Sequence, residues 1–370
     1  MRVGWAETTV GEICEFHYGR ALKAQDRSGA GWPVYGSNGI VGAHDAALTQ
    51  GPTIVIGRKG SCGEVHYSPT PVWPIDTTYF VDETCTSCDI KWLAHLLDAL
   101  SLTRLNRAAA VPGLNREDAY RLPLLLPPLA EQRRIAGVLD QAHDLRRRHV
   151  ECSAALSSLS RTVFVDIFGD PAANPKRFSN GSIDDIVAST DYGSAKKAGQ
   201  TGQYPMLRMG NVTADGRVDL NDLKYVDLSD KDTDRHLVRN GDILFNRTNS
   251  AELVGKTAVF RGPEPMAYAG YLIRIRMADD RLPDYLAGFL NSGYGKAVLR
   301  RMAKSIIGMA NINARELRSI KLPLPPRDLE RQFEKVVATI GHHDAGMRQR
   351  LHLLDALFAS LQDRAFKGNL

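Results

Sequence analysis

Two short loops carry the residue types that could meet a polyanion. The first, Arg58-Lys59-Gly60-Ser61, follows the apolar run Ile54-Val55-Ile56. Two cations and a hydroxyl in succession suit phosphate oxygens, and Gly60 and Gly63 would let the backbone approach closely. The second, Arg247-Thr248-Asn249-Ser250, follows Ile243-Leu244-Phe245. There arginine can read guanine and asparagine adenine in the major groove. A solvated hairpin turn could have either composition, so the weight lies in the repetition: IVIGRKGS returns as ILFNRTNS. A second matched segment behaves alike. YGRALKA at 18–24 offers Arg20 and Lys23, and YGSAKKA at 192–198 offers Lys196 and Lys197, although ordinary surface cations would look the same. Arg146-Arg147-Arg148 falls within a helical pattern and reads as a solvated or protein-facing surface.

Other chemistries find less support. Cys85-Thr-Ser-Cys88, with Cys62 and His66 upstream, invites zinc, but four ligands would have to converge and the second half of the chain has no equivalent set. Asp76 followed by Asp89-Ile90-Lys91 loosely fits a nuclease pattern in which two carboxylates hold Mg²⁺ to activate water. That pattern recurs by chance. Gly255-Lys256-Thr257 has Ser250 where a phosphate-cradling loop needs its first glycine. Amino methylation of DNA needs an Asn/Asp-Pro-Pro-aromatic loop, whereas both Pro-Pro pairs here are flanked by leucine, or by leucine and arginine. No catalytic residue, metal site or cofactor is therefore expected on this chain.

The elements that would hold the loops are written twice. Residues 122–139 read LPLLLPPLAEQRRIAGVL, and residues 320–337 read IKLPLPPRDLERQFEKVV, in a register of 198 that extends upstream to Leu114-Asn115 and Ile312-Asn313. Each copy is a strand-like run, a Pro-Pro pair that ends it, and a long helical pattern. Short β-type runs at 52–57, 63–68 and 76–83 precede a helical stretch at 91–105, and helical patterns at 282–303 match that stretch. Strands and helices mixed without βαβ alternation predict an α+β fold. On the first long helix, Ile135, Val138, Ala142, Leu145, His149, Cys152, Leu156, Leu159 and Val163 mark a narrow seam for one partner helix. On the second, the seam runs Phe333, Val336, Ile340, His343, Met347, then slips by one residue to Leu351, Leu354, Phe358, Leu361 and Ala365. Two such seams most simply pair antiparallel. The internal offset grows from 174 at Tyr18 and Tyr192 to 189 at Ile54 and Ile243, so the second copy carries insertions.

Composition sets the outer limits. A chain of 370 residues, 43% hydrophobic and 24% charged, suits two soluble domains. No apolar run is long enough to span a bilayer, the opening residues carry acids rather than an apolar leader, and five cysteines without framework spacing suit a reduced, cytoplasmic protein. The net charge of +5 is uneven: residues 1–128 carry 11 Lys+Arg against 13 Asp+Glu, and residues 171–326 carry 23 against 17. Local clusters must therefore carry any case for nucleic acid.

Together these motifs resemble the specificity subunits of type I restriction-modification systems. The family's PPLxEQxxIxxxL junction is met by Pro127, Pro128, Leu129, Glu131, Gln132, Ile135 and Leu139, and its IxxxRKGSxG loop by Ile54, Arg58, Lys59, Gly60, Ser61 and Gly63. The second copy departs from the pattern, with Arg327 after its Pro-Pro pair and Leu329-Glu330 where Leu-Gln is common. The resemblance implies two target-recognition domains, at 1–126 and 169–324, each reading half of a split DNA target. It implies that a central helix (127–168) and a C-terminal helix (325–370) form an antiparallel coiled coil that sets the spacer. It further implies docking of two modification subunits, and of restriction subunits where the system cleaves, through Pro127, Pro128, Glu131, Gln132, Pro325, Pro326 and Glu330. S-adenosylmethionine, ATP and Mg²⁺ would then belong to those partners. The alternative is a helical protein-protein adaptor whose heads no longer bind DNA.

Overall fold

The strand Pro123–Leu126 and its counterpart Lys321–Leu324 each pair antiparallel with the strand that opens their own half of the chain, Ala6–Thr9 and Ser179–Ser182 respectively. The computed structural model describes residues 4–105, 113–250, 254–278, 281–306 and 309–370. They fall into two compact units, one running to Val150 and including Arg350–Leu370, the other Glu151–Gln349. Each unit holds a mixed α+β head and part of both long helices, Leu129–Phe168 and Arg327–Phe366.

The heads share a strand order. In the first, a four-stranded sheet runs His17–Tyr18, Thr78–Asp82, Thr53–Gly57, Val65–Ser68. In the second it runs Val187–Tyr192, Leu272–Met277, Ile243–Asn246, Thr257–Val259. The middle strands are apolar because both their faces are covered: all of Thr53–Gly57 and Thr78–Asp82 is buried. A helix lies against each sheet. Ile90–Ala99 buries Trp92, Leu93, Leu96 and Leu97; Pro283–Asn291 buries Tyr285, Leu286, Phe289 and Leu290. The first ends sooner than its apolar pattern, passing through Ser101 at φ +50° into a 3-10 turn, Leu102–Leu105.

Within each unit the helix segments run antiparallel. In the first, Arg146 pairs with Asp355 and His143 meets the Phe358 ring; in the second, Ser153 donates to Asp344 and Phe164 packs edge-on to Phe333. The seam differs from the apolar pattern. Leu145 and Leu159 are 46% and 42% exposed, whereas Leu139 is buried and Arg146, Ser153 and Ser160 are half-buried. On the second helix His343 is exposed and Asp344 is 3% exposed, so the seam runs through Phe333, Val337, Ile340, Asp344, Met347 and Leu351 without a slip. Polar residues hold inward positions by pairing across the seam, and apolar periodicity picks their neighbours instead.

The junction after each Pro-Pro pair explains the strict register. Gln132 is 4% exposed; its Oε1 accepts the backbone N–H of Asp89 at 2.8 Å, and its Nε2 donates to the Pro127 carbonyl at 2.9 Å. Asp89 is the N-cap of the head helix, its own carboxylate accepting from the Trp92 N–H at 3.0 Å. Glu330, 1% exposed, stands in the same place: it accepts the N–H of Leu282, the N-cap of Pro283–Asn291, at 3.3 Å. A carboxylate there needs a cation, and Arg281 supplies it, bonding both Glu330 and the Pro325 carbonyl. Gln132 and Glu330 thus point inward and bind their own heads, which removes them from a partner-facing surface. The first head is fastened once more where Asp140 meets Lys91 Nζ at 2.7 Å and His95 Nε2 at 2.8 Å. Burial works against the Asp140 charge, but the hydrogen bonds from Lys91 and His95 outweigh it and hold the carboxyl below its ordinary range.

Arg281→Ala takes the closer of two cations from the buried Glu330 carboxylate and leaves it Arg327 at 3.8 Å, so denaturant unfolding should show a loss at the low end of about 3–5 kcal/mol. Adding Glu330→Gln, the residue of the first copy, should recover most of it. An unchanged midpoint in Arg281→Ala alone would rule out this compensation.

Candidate nucleic-acid interface

Each loop is built by the same backbone bonds. Arg58 N and Lys59 N donate to the Thr77 carbonyl at 2.9 and 3.1 Å, and Gly63 N donates to Gly57 O at 2.7 Å. In the second head Arg247 N donates to Tyr271 O at 3.0 Å and Gly255 N to Asn246 O at 2.8 Å. The closing residue has positive φ in both, +80° at Gly63 and +78° at Gly255. At Gly63 a Cβ would lie 2.4 Å from the Leu102 carbonyl carbon, so only glycine closes the turn. The arginine carbonyls are also matched: Arg58 O accepts from Leu114 N at 2.9 Å, and Arg247 O from Ile312 N at 3.0 Å. The following asparagines, Asn115 and Asn313, cap short helices by accepting from Glu117 N and Glu316 N, each at 2.9 Å. The repeated apolar-Asn pair therefore ties the loop to the head.

The side chains converge on a tyrosine. Arg58 lies 5.4 Å from the Tyr18 ring centroid and Arg116 lies 5.7 Å from it, while Tyr18 is 56% exposed. Arg58 Nη2 donates to the Asp76 carbonyl at 2.5 Å, which holds the guanidinium in place. In the second head Arg247 lies 4.8 Å from the Tyr192 ring, whose hydroxyl accepts from Ala314 N at 2.9 Å. A cation over an exposed aromatic face is stabilised by the ring and leaves N–H groups free to bind an anion. The exposed ring offers a surface on which a base can stack.

Arg20 joins this group: with Tyr18, Arg116, Glu15 and His17 it lines a shallow cleft of about 330 Å³. Lys59 is exposed at the loop tip, and Ser61 is half-buried behind it. Lys23 is exposed at the start of a 3-10 turn and no contact ties it to the tyrosine. Lys196 is engaged elsewhere, at 3.0 Å from the Asp227 carbonyl and 3.6 Å from the Asp232 carboxylate; Lys197 is exposed beside it. Thr248 and Asn249 form a strand with Asn311 and Ala310, and Asn249 Oδ1 accepts from Ser250 N at 2.9 Å. The second loop is thus part of a three-stranded sheet rather than an open turn, and at the matching place in the first loop Lys59 forms an antiparallel bridge with Gly113. Tyr18, Tyr192 and Arg116 were not singled out by charge reasoning, although the two tyrosines head the matched YG segments.

The residues of the rival chemistries are occupied structurally. Asp89 caps a helix, Lys91 pairs with Asp140, and Lys256 Nζ donates to the Met209 carbonyl at 2.9 Å. Burial pushes the Cys14 thiol up to about 12 and raises Cys85 and Cys88 as well. Among the described residues no group of three or more His, Cys, Asp or Glu side chains could hold a metal ion. No helix among them is long and apolar enough to cross a membrane.

Duplex binding by the full chain, titrated against salt, should weaken by about 1–3 kcal/mol on Arg58→Ala or Arg247→Ala if the arginine meets a base, or lose about one unit of salt slope if it meets a phosphate. Unchanged affinity and slope in both variants would remove these arginines from the interface.

Comparison with known proteins follows the same lines. Residues 2–148 match the family model of the type I restriction modification DNA specificity domain. The specificity subunit of the type I restriction enzyme EcoKI from Escherichia coli K12 is 27% identical over 289 residues, 73% of this chain. The StySPI specificity subunit from Salmonella potsdam is 24% identical over 288 residues. The chain spans 62% of the length of each of these two relatives. The crystal structure of the type I restriction-modification S subunit from M. genitalium superposes with a TM-score of 0.61 at 15% identity, covering 99% of this chain and 96% of that one. A second solved chain, from work on assembly and conformational transition of a type I system, gives 0.54 at 15% identity and covers 100% of this chain and 99% of that one. The first head and its junction are thus similar to the type I restriction modification DNA specificity domain, and the chain shares its fold with the solved type I specificity subunits.

Proposed function

We propose that this chain is the DNA-reading subunit of a type I restriction-modification complex and has no catalytic role of its own. The observation that carries this is the repeated arginine-on-tyrosine pair, Arg58 with Tyr18 and Arg247 with Tyr192, each on the same loop of the same sheet. Two equivalent surfaces on one chain suit a target in two parts. Their flanking chemistry differs, with Arg116 and Lys59 at one and Thr248 and Asn249 at the other, so the two parts need not be alike. In the proposed arrangement each head reads one half-site and the long helices set the interval between them, as half-site spacing mirrors protein geometry in dimeric repressors.

Methylation, and cleavage where it occurs, then belongs to partner subunits that bring S-adenosylmethionine, ATP and Mg²⁺. For their docking we propose the outer face of the junctions, where Pro128, Leu129 and Pro326 are exposed and Glu131 is held by Arg134 at 2.8 Å; Pro127 and Pro325 lie buried beneath. Methylation of a base that must leave the duplex would add distortion of the DNA.

Selection of random duplexes by the full chain, followed by sequencing, tests the reading. Two short motifs at a fixed interval are expected. Removing one heptad from each long helix, about 10 Å of rise, should shorten that interval by roughly three base pairs. A pool without enrichment would favour the protein-only adaptor, and an unchanged interval would deny the helices their measuring role.

A further inference from the structure

The second head carries an insertion that the first lacks. In the first head the strands Trp32–Gly36 and Gly39–His44 are joined by a tight turn at Ser37 and Asn38. The corresponding strands of the second, Tyr204–Leu207 and Lys224–Val226, are joined by residues 208–223. This segment closes on itself. Arg208 Nη2 donates to Asp222 O at 2.7 Å, and the buried Asn211 donates to Asp219 O and Asn221 O at 2.9 and 3.1 Å. Thr213 N donates to Arg217 O, and Arg217 N donates back to Thr213 Oγ1, both at 2.9 Å. The tip is pressed onto the head. Gly216 has φ +89°, and a Cβ there would lie 2.7 Å from Asn291 Nδ2.

From this rigid tip Arg217 reaches a carboxylate in the helix seam. Its Nη1 lies 3.2 Å from Asp344 Oδ2, and its Nη2 lies 2.6 Å from Asp215. Asp344 also accepts from Ser153 Oγ on the facing helix at 2.8 Å and pairs with Arg348, one turn along its own helix, at 2.7 Å. A buried carboxylate is costly unless fully paired, and an apolar residue would join two helices more cheaply. Here one of its two cations comes from the head, so one carboxylate joins both helices and the insertion. The placement gives leverage. The head already meets this helix at Glu330, and Asp344 lies fourteen residues further along, about 21 Å. Two attachments that far apart resist rocking of the head about either one.

We propose that the insertion 208–223 is a strap, and that Arg217 on Asp344 is a positioning contact that makes the second head strict about the interval between the two half-sites. This rests on the DNA-reading function proposed above. The strap itself touches no DNA; it acts by fixing the head on the helices.

The test is random-duplex selection by the full chain with Arg217→Met and Arg217→Lys beside the wild type. Arg217→Met keeps the stem and loses the charge. It should select the same two half-sites, while the preference for the commonest interval over intervals one base pair longer or shorter falls by roughly tenfold, as for loss of one charge-assisted hydrogen bond. Arg217→Lys, which keeps a cation at the tip, should restore most of that preference. An interval as narrow in Arg217→Met as in the wild type would overturn the strap. Loss of the second half-site in Arg217→Met would overturn it too, because the contact would then serve only to fold the head. If the wild type selects no paired motif, the DNA-reading function fails and the strap's role goes with it, whereas a paired motif with an unbroadened interval sinks the strap alone.

Discussion

Each unit depends on one half-buried backbone N–H finding an acceptor. The helix over each head sheet begins against the long helix, where Asp89 and Leu282 are half-buried, and an N–H left unpaired on burial costs about 1–3 kcal/mol. The acceptor is a side chain in the first turns of the long helix, Gln132 in one unit and Glu330 in the other. The contact fixes three things together: the end of the Pro-Pro turn, the phase of the long helix and the seat of the head helix. A residue inserted between the prolines and that acceptor would rotate it by about 100° and leave the N–H bare. This is why the 198-residue register holds through the junction while offsets inside the heads drift.

A continuous physical path runs from the exposed arginines to the helices. The Arg58 carbonyl is held by Leu114, the next residue caps a short helix, and that helix leads into Pro123–Leu126 and the long helix. Arg247, Ile312, Asn313 and Lys321–Leu324 repeat the path. The arginine-tyrosine pairs are thus anchored in the parts of the chain that keep strict spacing, while their neighbours vary.

Much of this was legible in the sequence. The long helices span the segments their patterns mark, and the buried strands Thr53–Gly57 and Thr78–Asp82 fall inside the apolar runs, because proline stops and apolar blocks are local signals. The seam was half legible. Ile135, Phe333 and Ile340 are inward as expected, but Arg146, Ser153 and Asp344 hold seam positions only because partners distant in sequence satisfy them. A hydropathy pattern carries no trace of such partners. The inward turn of Gln132 was hidden for the same reason. At the candidate interface, cation clusters marked both loops but not the rings beneath them: charge counting ignores Tyr18 and Tyr192, and Arg116 lies far along the chain from Arg58.

The Gln132 and Glu330 junctions carry one more consequence, for the exchange of parts. Gln132 accepts a head helix through a neutral amide, whereas Glu330 accepts one as a carboxylate between Arg281 of the head and Arg327 of its own helix. A first head grafted onto the second helix would leave the buried carboxylate to Arg327 of its own helix, 3.8 Å away, without the closer Arg281, and a second head grafted onto the first would bring an arginine facing an amide. The two sockets are keyed. Exchange of heads between the two sockets therefore costs stability that exchange between like sockets does not.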